Sequence, residues 1–407
     1  MTITNAIGPG FDVTRPTRPV SGTGEDSGLN ARFPVYPNLV GDLLNSDGPS
    51  VAARQLSSVA SGYVYSDVAT QATMMTRMGL EKSRCVAVQM SVDAMFIRST
   101  AHVIQSEDGR VVIVAYRGTE PTNVISWLAD ADLYPDRIPF LAAQGLSVEQ
   151  TRDDERLVHG GFYRNFRATK LAIIEQLYKA RNGHLLGPAA DCCEQCVDAE
   201  ATNSPQGRLG QPLPGPIQPA ESVFLTGHSF GGAQATLMAT ALRFDPVYSE
   251  AFEGISRATY TFGQPMVGTP QFADFCADDE ALQQNTYRFI YQRDPVPHLP
   301  PTATGRFKHF GQEFRYERAP WECEPRWHGP QGRPTGQDSG LLGLVGMPLA
   351  FVTRQIPVLR AIPFEYSIDD HFPHHYVSAA TPLDRPNEYG DHLVVAPKSK
   401  GFGPFRW

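Results

Sequence analysis

The stretch VFLTGHSFGGAQATLMATALRF, residues 223–244, sets an apolar run, a serine fenced by glycines and a helix-forming run back to back. Its centre, Gly227-His228-Ser229-Phe230-Gly231, fits the pattern G-x-S-x-G, in which a serine rides a tight turn between a strand and a helix. Glycines flank such a serine because any Cβ there collides as the backbone doubles back. With 36 glycines in the chain the pentapeptide alone is modest evidence, and its surroundings must carry the reading.

Those surroundings alternate strand and helix. In DAMFIRSTAHVIQSEDGRVVIVAYRGTE (residues 93–120) two strands are predicted, over 96–104 and 111–116, joined by the turn SEDGR. HGGFYRNFRATKLAIIEQLYKARN (159–182) has helical spacing, with Phe162, Phe166, Leu171, Ile174 and Leu177 assigned to one apolar face. After the serine come a helix over 231–244 and strands in ATYTFG and TYRFIYQRDPVPHLPP. Strands alternating with helices imply a mostly parallel central sheet with helices on both faces. Residues 1–45 are rich in Gly, Pro and polar residues and read as an N-terminal arm. The remainder, 46–407, reads as a single domain with insertions at about 183–219 and 302–366.

Charge and composition narrow the class of partner. At 407 residues, 41% hydrophobic and 19% charged, the chain is globular, and its net charge of −8 offers no basic stripe for nucleic acid. Neither a Sec signal nor a run long enough to span a bilayer is found; the longest apolar segment, LLGLVGMPLAFV (341–352), is too short. A soluble or peripheral protein is expected, cytoplasmic or exported by another route. Six cysteines make no disulfide framework, and the cluster Cys192, Cys193, Cys196 is a weak zinc pattern, so neither metal nor cofactor is expected. Oligomeric state is not legible.

A nucleophile followed by an acid and then a histidine is the chain order of an α/β-hydrolase. Ser229 is followed by Asp294, directly after an apolar strand, and by His371. On position alone Asp294 is equally a turn-initiating residue before Pro295, and His371 competes with His374, His375 and His392.

Six segments in order resemble the class 3, fungal-type lipase family. VVIVAYRGTEPTNVISWLADADL is similar to its strand and oxyanion loop, VHGGFYRNF to its V-H-x-G-F helix start, and GHSFGG to its G-H-S-L-G-G elbow. YTFGQPMVGTPQFADF, DPVPHLPP and DDHFPHHY resemble the later family segments. Departures are Phe230 for the usual Leu, Met266 for Arg, and extra length at the N-terminus, around Cys192 and between Pro301 and Tyr366.

Carried over position by position, the resemblance implies an α/β-hydrolase fold with cap- or lid-like insertions. It makes Ser229 the nucleophile, Asp294 the orienting acid and His371 the base. The oxyanion hole falls to the backbone N–H groups of Phe230 and Thr119, with the Thr119 hydroxyl held by Asp130. It makes His228 a packing residue. Arg117 is read as anchoring the oxyanion loop through a carboxylate rather than touching substrate, and His159 as satisfying a local backbone group. Trp127 is either core or lid, and residues 341–363 are a pair of core helices or an acyl channel docking on lipid. The expected activity is hydrolysis of a carboxylic ester, as a triacylglycerol lipase or acylglycerol esterase acting on a lipid or other small ester, with peripheral contact with a lipid surface. The alternatives are a phospholipase or feruloyl-type esterase on the same fold, a catalytically silent lipid-binding protein, or an acyltransferase.

Overall fold

The computed structural model describes residues 2–7 (backbone only), 34–46, 48–92, 97–119, 135–142, 155–187, 217–302, 305–318, 322, 325–330, 335–336, 366–382 and 385. Among these, nine strands form one sheet in simple chain order: β1 (Thr2–Ile7), β2 (Arg84–Val92), β3 (Ile97–Gln105), β4 (Val111–Tyr116), β5 (Ser222–His228), β6 (Ser256–Phe262), β7 (Thr286–Tyr291), β8 (Gln312–Glu317) and β9 (Arg326–His328). The pairs from β4 through β8 are parallel, while β1 to β4 and the β8–β9 pair are antiparallel. The centre of the sheet is thus an α/β-hydrolase type of parallel array. Thr2–Ile7, within the stretch read as an arm, adds the first edge strand.

Both faces are covered. Alternate residues of the strands bury on opposite sides. Val112, Val114, Val223 and Leu225 pack with α3 (Gly160–Arg181) and α4 (Phe230–Phe244). Their neighbours Ile113, Ala115 and Phe224 pack with α1 (Val51–Tyr63), α2 (Val68–Met78) and α6 (Pro373–Ala380). One further helix, α5, spans Pro270–Asp278 and is capped by Thr269, whose side chain accepts from Phe272 N–H. α4 is buried almost all round, as a helix between sheet and outer helices must be.

One expected core position is corrected. Leu171 is 66% exposed. Five residues beyond Phe166, it is turned about 140° round a helix of 3.6 residues per turn, and Ile173 fills the core place.

Parallel pairing in register brings four strand ends to one edge. Tyr116 pairs with Gly227, His228 with Phe262, and Phe262 with Phe289. The residues that immediately follow these strands, 117–119, Ser229, Gly263 and the segment leading to Asp294, therefore surround one crevice, where parallel α/β sheets place ligand chemistry.

Candidate active site

Ser229 is the half-in residue between β5 and α4. Its φ of +57° and ψ of −131° are strained for a side chain with a Cβ. The turn is clamped from both sides: Ser229 N–H donates to Phe262 O at 2.8 Å and its own carbonyl accepts from Gly232 N–H at 2.9 Å. A Cβ on Gly231 would run into the Tyr116 carbonyl, and one on Gly227 into the Gly231 backbone. The glycines around the serine are therefore demanded by helix–sheet contact.

Asp294 lies just past β7, at the start of a segment tied down along its length. Its Oδ1 accepts from Val296 N–H at 2.8 Å. The segment ends in a short 3-10 turn (Val296–His298), where the His309 Nε2–H donates to Pro297 O at 2.8 Å and the Leu299 carbonyl accepts from Met266 N–H at 2.7 Å. Behind it, Glu313 of β8 accepts from Arg288 of β7 at 3.1 Å and from Arg315 at 2.9 Å. Arg288 and Glu313 are both almost fully buried. Leaving either charge alone there would cost about 3–5 kcal/mol.

His371 ends the 3-10 turn Ile368–His371, immediately before α6. Its Nδ1 stands 2.8 Å from Asp294 Oδ2 and its Nε2 2.8 Å from Ser229 Oγ. All three side chains are buried, with His371 fully enclosed. Since Asp294 Oδ2 accepts, the Nδ1–H tautomer follows, and the Nε2 lone pair faces the serine hydroxyl. Of the competing histidines, His374 is exposed and lies tilted against His375, which stacks on Tyr291, while His392 lies outside the described residues.

Phe230 and Thr119, the residues expected to supply oxyanion donors, both neighbour this group in the chain or across the crevice. Phe230 opens α4, whose fifteen residues direct the positive end of their dipole at the turn. Thr119 closes the described part of the loop after β4, and Gly118 beside it approaches the elbow closely. A Cβ on Gly118 would lie 2.5 Å from His228 O and 3.1 Å from Ser229 Cβ. Asp130, Trp127, residues 341–363 and the cysteines at 192, 193 and 196 lie outside the described residues. The Arg117 guanidinium sits 5.7 Å over the Tyr65 ring, and the Arg117 backbone N–H donates to Thr100 O. His159 caps α3 by accepting from Phe162 N–H at 3.4 Å and stacks on that ring.

Two tyrosines that spacing did not single out also belong here. The Tyr376 hydroxyl donates to Asp294 Oδ2 at 2.5 Å and accepts from Tyr291 N–H at 3.1 Å. Burial and the adjacent Asp294 charge raise its pKa well above the ordinary tyrosine value, so it remains a donor. Tyr65 lies 3.0 Å from His228 Nδ1. Tyr376 follows His371 by five residues, inside the quoted segment DDHFPHHY; Tyr65 is 163 residues from its partner and no local pattern pointed to it.

Such an arrangement can deprotonate a hydroxyl, stabilise the resulting imidazolium and receive an oxyanion. Residues 113–304 match the family described as lipase (class 3). A lipase of Rhizomucor miehei is 41% identical over 99 residues, 24% of this chain and 24% of that protein. A secreted mono- and diacylglycerol lipase of Fusarium solani is 36% identical over 102 residues, 25% and 27% of the two chains. A triacylglycerol lipase of Arabidopsis thaliana is 31% identical over 225 residues, 52% and 39%. The chain thus spans between a quarter and two fifths of the length of these curated relatives. Among solved structures, the native Rhizomucor miehei lipase propeptide complex overlaps with a TM-score of 0.43 at 21% identity, over 66% of this chain and 70% of that one. That overlap is loose, and the fold stands on the strand order and register above.

Proposed function

We propose that this chain, a member of the class 3 lipase family through residues 113–304, is a serine carboxylic ester hydrolase acting on acylglycerols through an acyl-enzyme on Ser229. The observation that carries the reading is the unbroken path Ser229 Oγ, His371 Nε2, His371 Nδ1, Asp294 Oδ2, each hydrogen bond 2.8 Å long. The likeness to lipases named for triacylglycerol and for mono- and diacylglycerol supports acylglycerol as the substrate class.

In this reading Ser229 Oγ attacks the acyl carbon as His371 Nε2 takes its proton. Asp294 holds the imidazole tautomer and steadies the imidazolium, while Tyr376 and the Val296 N–H hold Asp294. The Phe230 and Thr119 N–H groups receive the carbonyl oxygen as it becomes an oxyanion, each worth about 3 kcal/mol of barrier. Collapse expels the alcohol, which leaves with the proton from His371. Water then enters, gives its proton to His371 and releases the acid, restoring Ser229. Residues 46–407 act as one domain around this crevice, and an acylglycerol substrate class fits peripheral contact with a lipid surface.

A panel of p-nitrophenyl and glyceryl esters of graded acyl length, run with the wild type and Ser229→Ala, tests the reading. Hydrolysis should fall at least about 1,000-fold in the variant. Equal turnover by both proteins would refute it.

A further inference from the structure

We infer that His228 and Tyr65 form a positioning relay, which joins the backbone of His371 to the oxyanion loop and fixes where the base and the loop stand relative to each other. The inference rests on the reading of His371 as the base. His228, immediately before the nucleophile, is wholly buried, and the resemblance had assigned it only packing.

Its hydrogen bonds have a defined direction. His228 Nε2 lies 2.6 Å from the carbonyl oxygen of His371. A carbonyl only accepts, so Nε2 carries the hydrogen. In the neutral ring Nδ1 is then a bare lone pair, and the donor it meets is the Tyr65 hydroxyl at 3.0 Å. Burial, and the neighbouring His371, hold the His228 pKa well below the ordinary histidine value, which agrees with this neutral tautomer. The two imidazoles lie tilted against each other, their centroids 4.6 Å apart and their planes 34° from parallel, with the Tyr376 ring edge-on to His228.

Tyr65 carries the chain of contacts to the opposite wall. Its hydroxyl lies against Gly118, where a Cβ would overlap it, and its ring lies beneath the Arg117 guanidinium. The same hydroxyl is 3.5 Å from the Thr119 carbonyl. A single O–H hydrogen serves the closer His228, so the contact to Thr119 sets a spacing. The base therefore does not rely on Asp294 alone. Its ring is held by the carboxylate, and its peptide by an N–H that traces through Tyr65 to the loop bearing Thr119. These are positioning residues: when His371 takes up a proton they limit the drift of its ring away from Ser229 Oγ.

Nitrogen-15 NMR of histidine-labelled wild type tests the relay without any substitution. His228 should show the neutral form with its hydrogen on Nε2 from pH 5 to 9. Kinetics then separate position from binding. Tyr65→Phe should lower kcat about tenfold with KM within about twofold, and should shift the His228 Nδ1 resonance. His228→Leu should lower kcat about 100-fold, whereas His228→Gln, whose amide can still donate to the His371 carbonyl, should recover at least about tenfold of that. Titration of His228 between pH 5 and 7, an unchanged kcat in Tyr65→Phe, or equal losses in the Gln and Leu variants would overturn the relay. Covalent labelling of Ser229 by an organophosphonate is the separate check: its failure in wild type removes the esterase reading itself, and its success leaves the relay to be judged on the outcomes above.

Discussion

The Ser229 side and the His371 side of the crevice are built in opposite ways. Ser229 is placed by contiguous chain, a strand, a turn and a helix within residues 222–244, and by backbone packed on backbone at Gly227 and Gly231. His371 arrives 142 residues later at the end of a four-residue turn and is placed by side chains drawn from other elements: Asp294 after β7, Tyr376 of α6 and His228 of β5. Tyr376 reaches it through Asp294. The first kind of placement is steric and all-or-none. The second is a set of hydrogen bonds, each removable at modest cost.

That contrast can be broken most severely at Gly231. Gly231→Ala should destabilise the fold by more than about 3 kcal/mol, because the new methyl meets the Tyr116 carbonyl and the Arg117 backbone with no side chain able to yield. Denaturant unfolding measures it, and a loss under about 1 kcal/mol would mean that the elbow is looser than it looks. Tyr376→Phe is the counterpart on the His371 side. It should leave stability within about 1–2 kcal/mol yet lower kcat about tenfold. An unchanged kcat would show that Asp294 does not depend on this hydroxyl.

A third effect, on stability in mild acid, is shared by both sides. His228 of the elbow, His309 behind the acid segment and His102 of β3 are all buried, and burial lowers their pKa values, that of His102 to about 4. The unfolded chain binds their protons from about pH 6.5 downward while the folded chain does not. Stability is therefore full above about pH 6.5 and falls as the pH drops toward 4. Each histidine contributes a slope of up to about 1.4 kcal/mol per pH unit. Urea midpoints at pH 7.5 and 5 measure the sum, and His102→Gln should flatten it by one share; equal midpoints would contradict it.

The same division explains what could be read from sequence. The helix expected over 231–244 is observed as Phe230–Phe244, and the strand over 111–116 as Val111–Tyr116, because apolar period and glycine placement are local. Asp294 remained level with a turn former, and His371 with its neighbours, until the family resemblance distinguished them, since what selects each is a partner far along the chain. Tyr65 meets His228 across 163 residues and only through folding. Leu171 misled for a related reason: apolar identity suggested the inner face, whereas its angle around the helix turns it outward.

The central claim is that Ser229 Oγ forms a covalent bond to the reacting centre with His371 as its base. Treating the wild-type protein with a p-nitrophenyl alkylphosphonate and mapping the adduct by peptide mass spectrometry tests this most directly. The account predicts one adduct per chain, on Ser229, with p-nitrophenol released in equal amount and labelling at least about 100-fold slower in His371→Ala. An unlabelled Ser229 in a protein that still hydrolyses esters, or labelling as fast without His371 as with it, would contradict it.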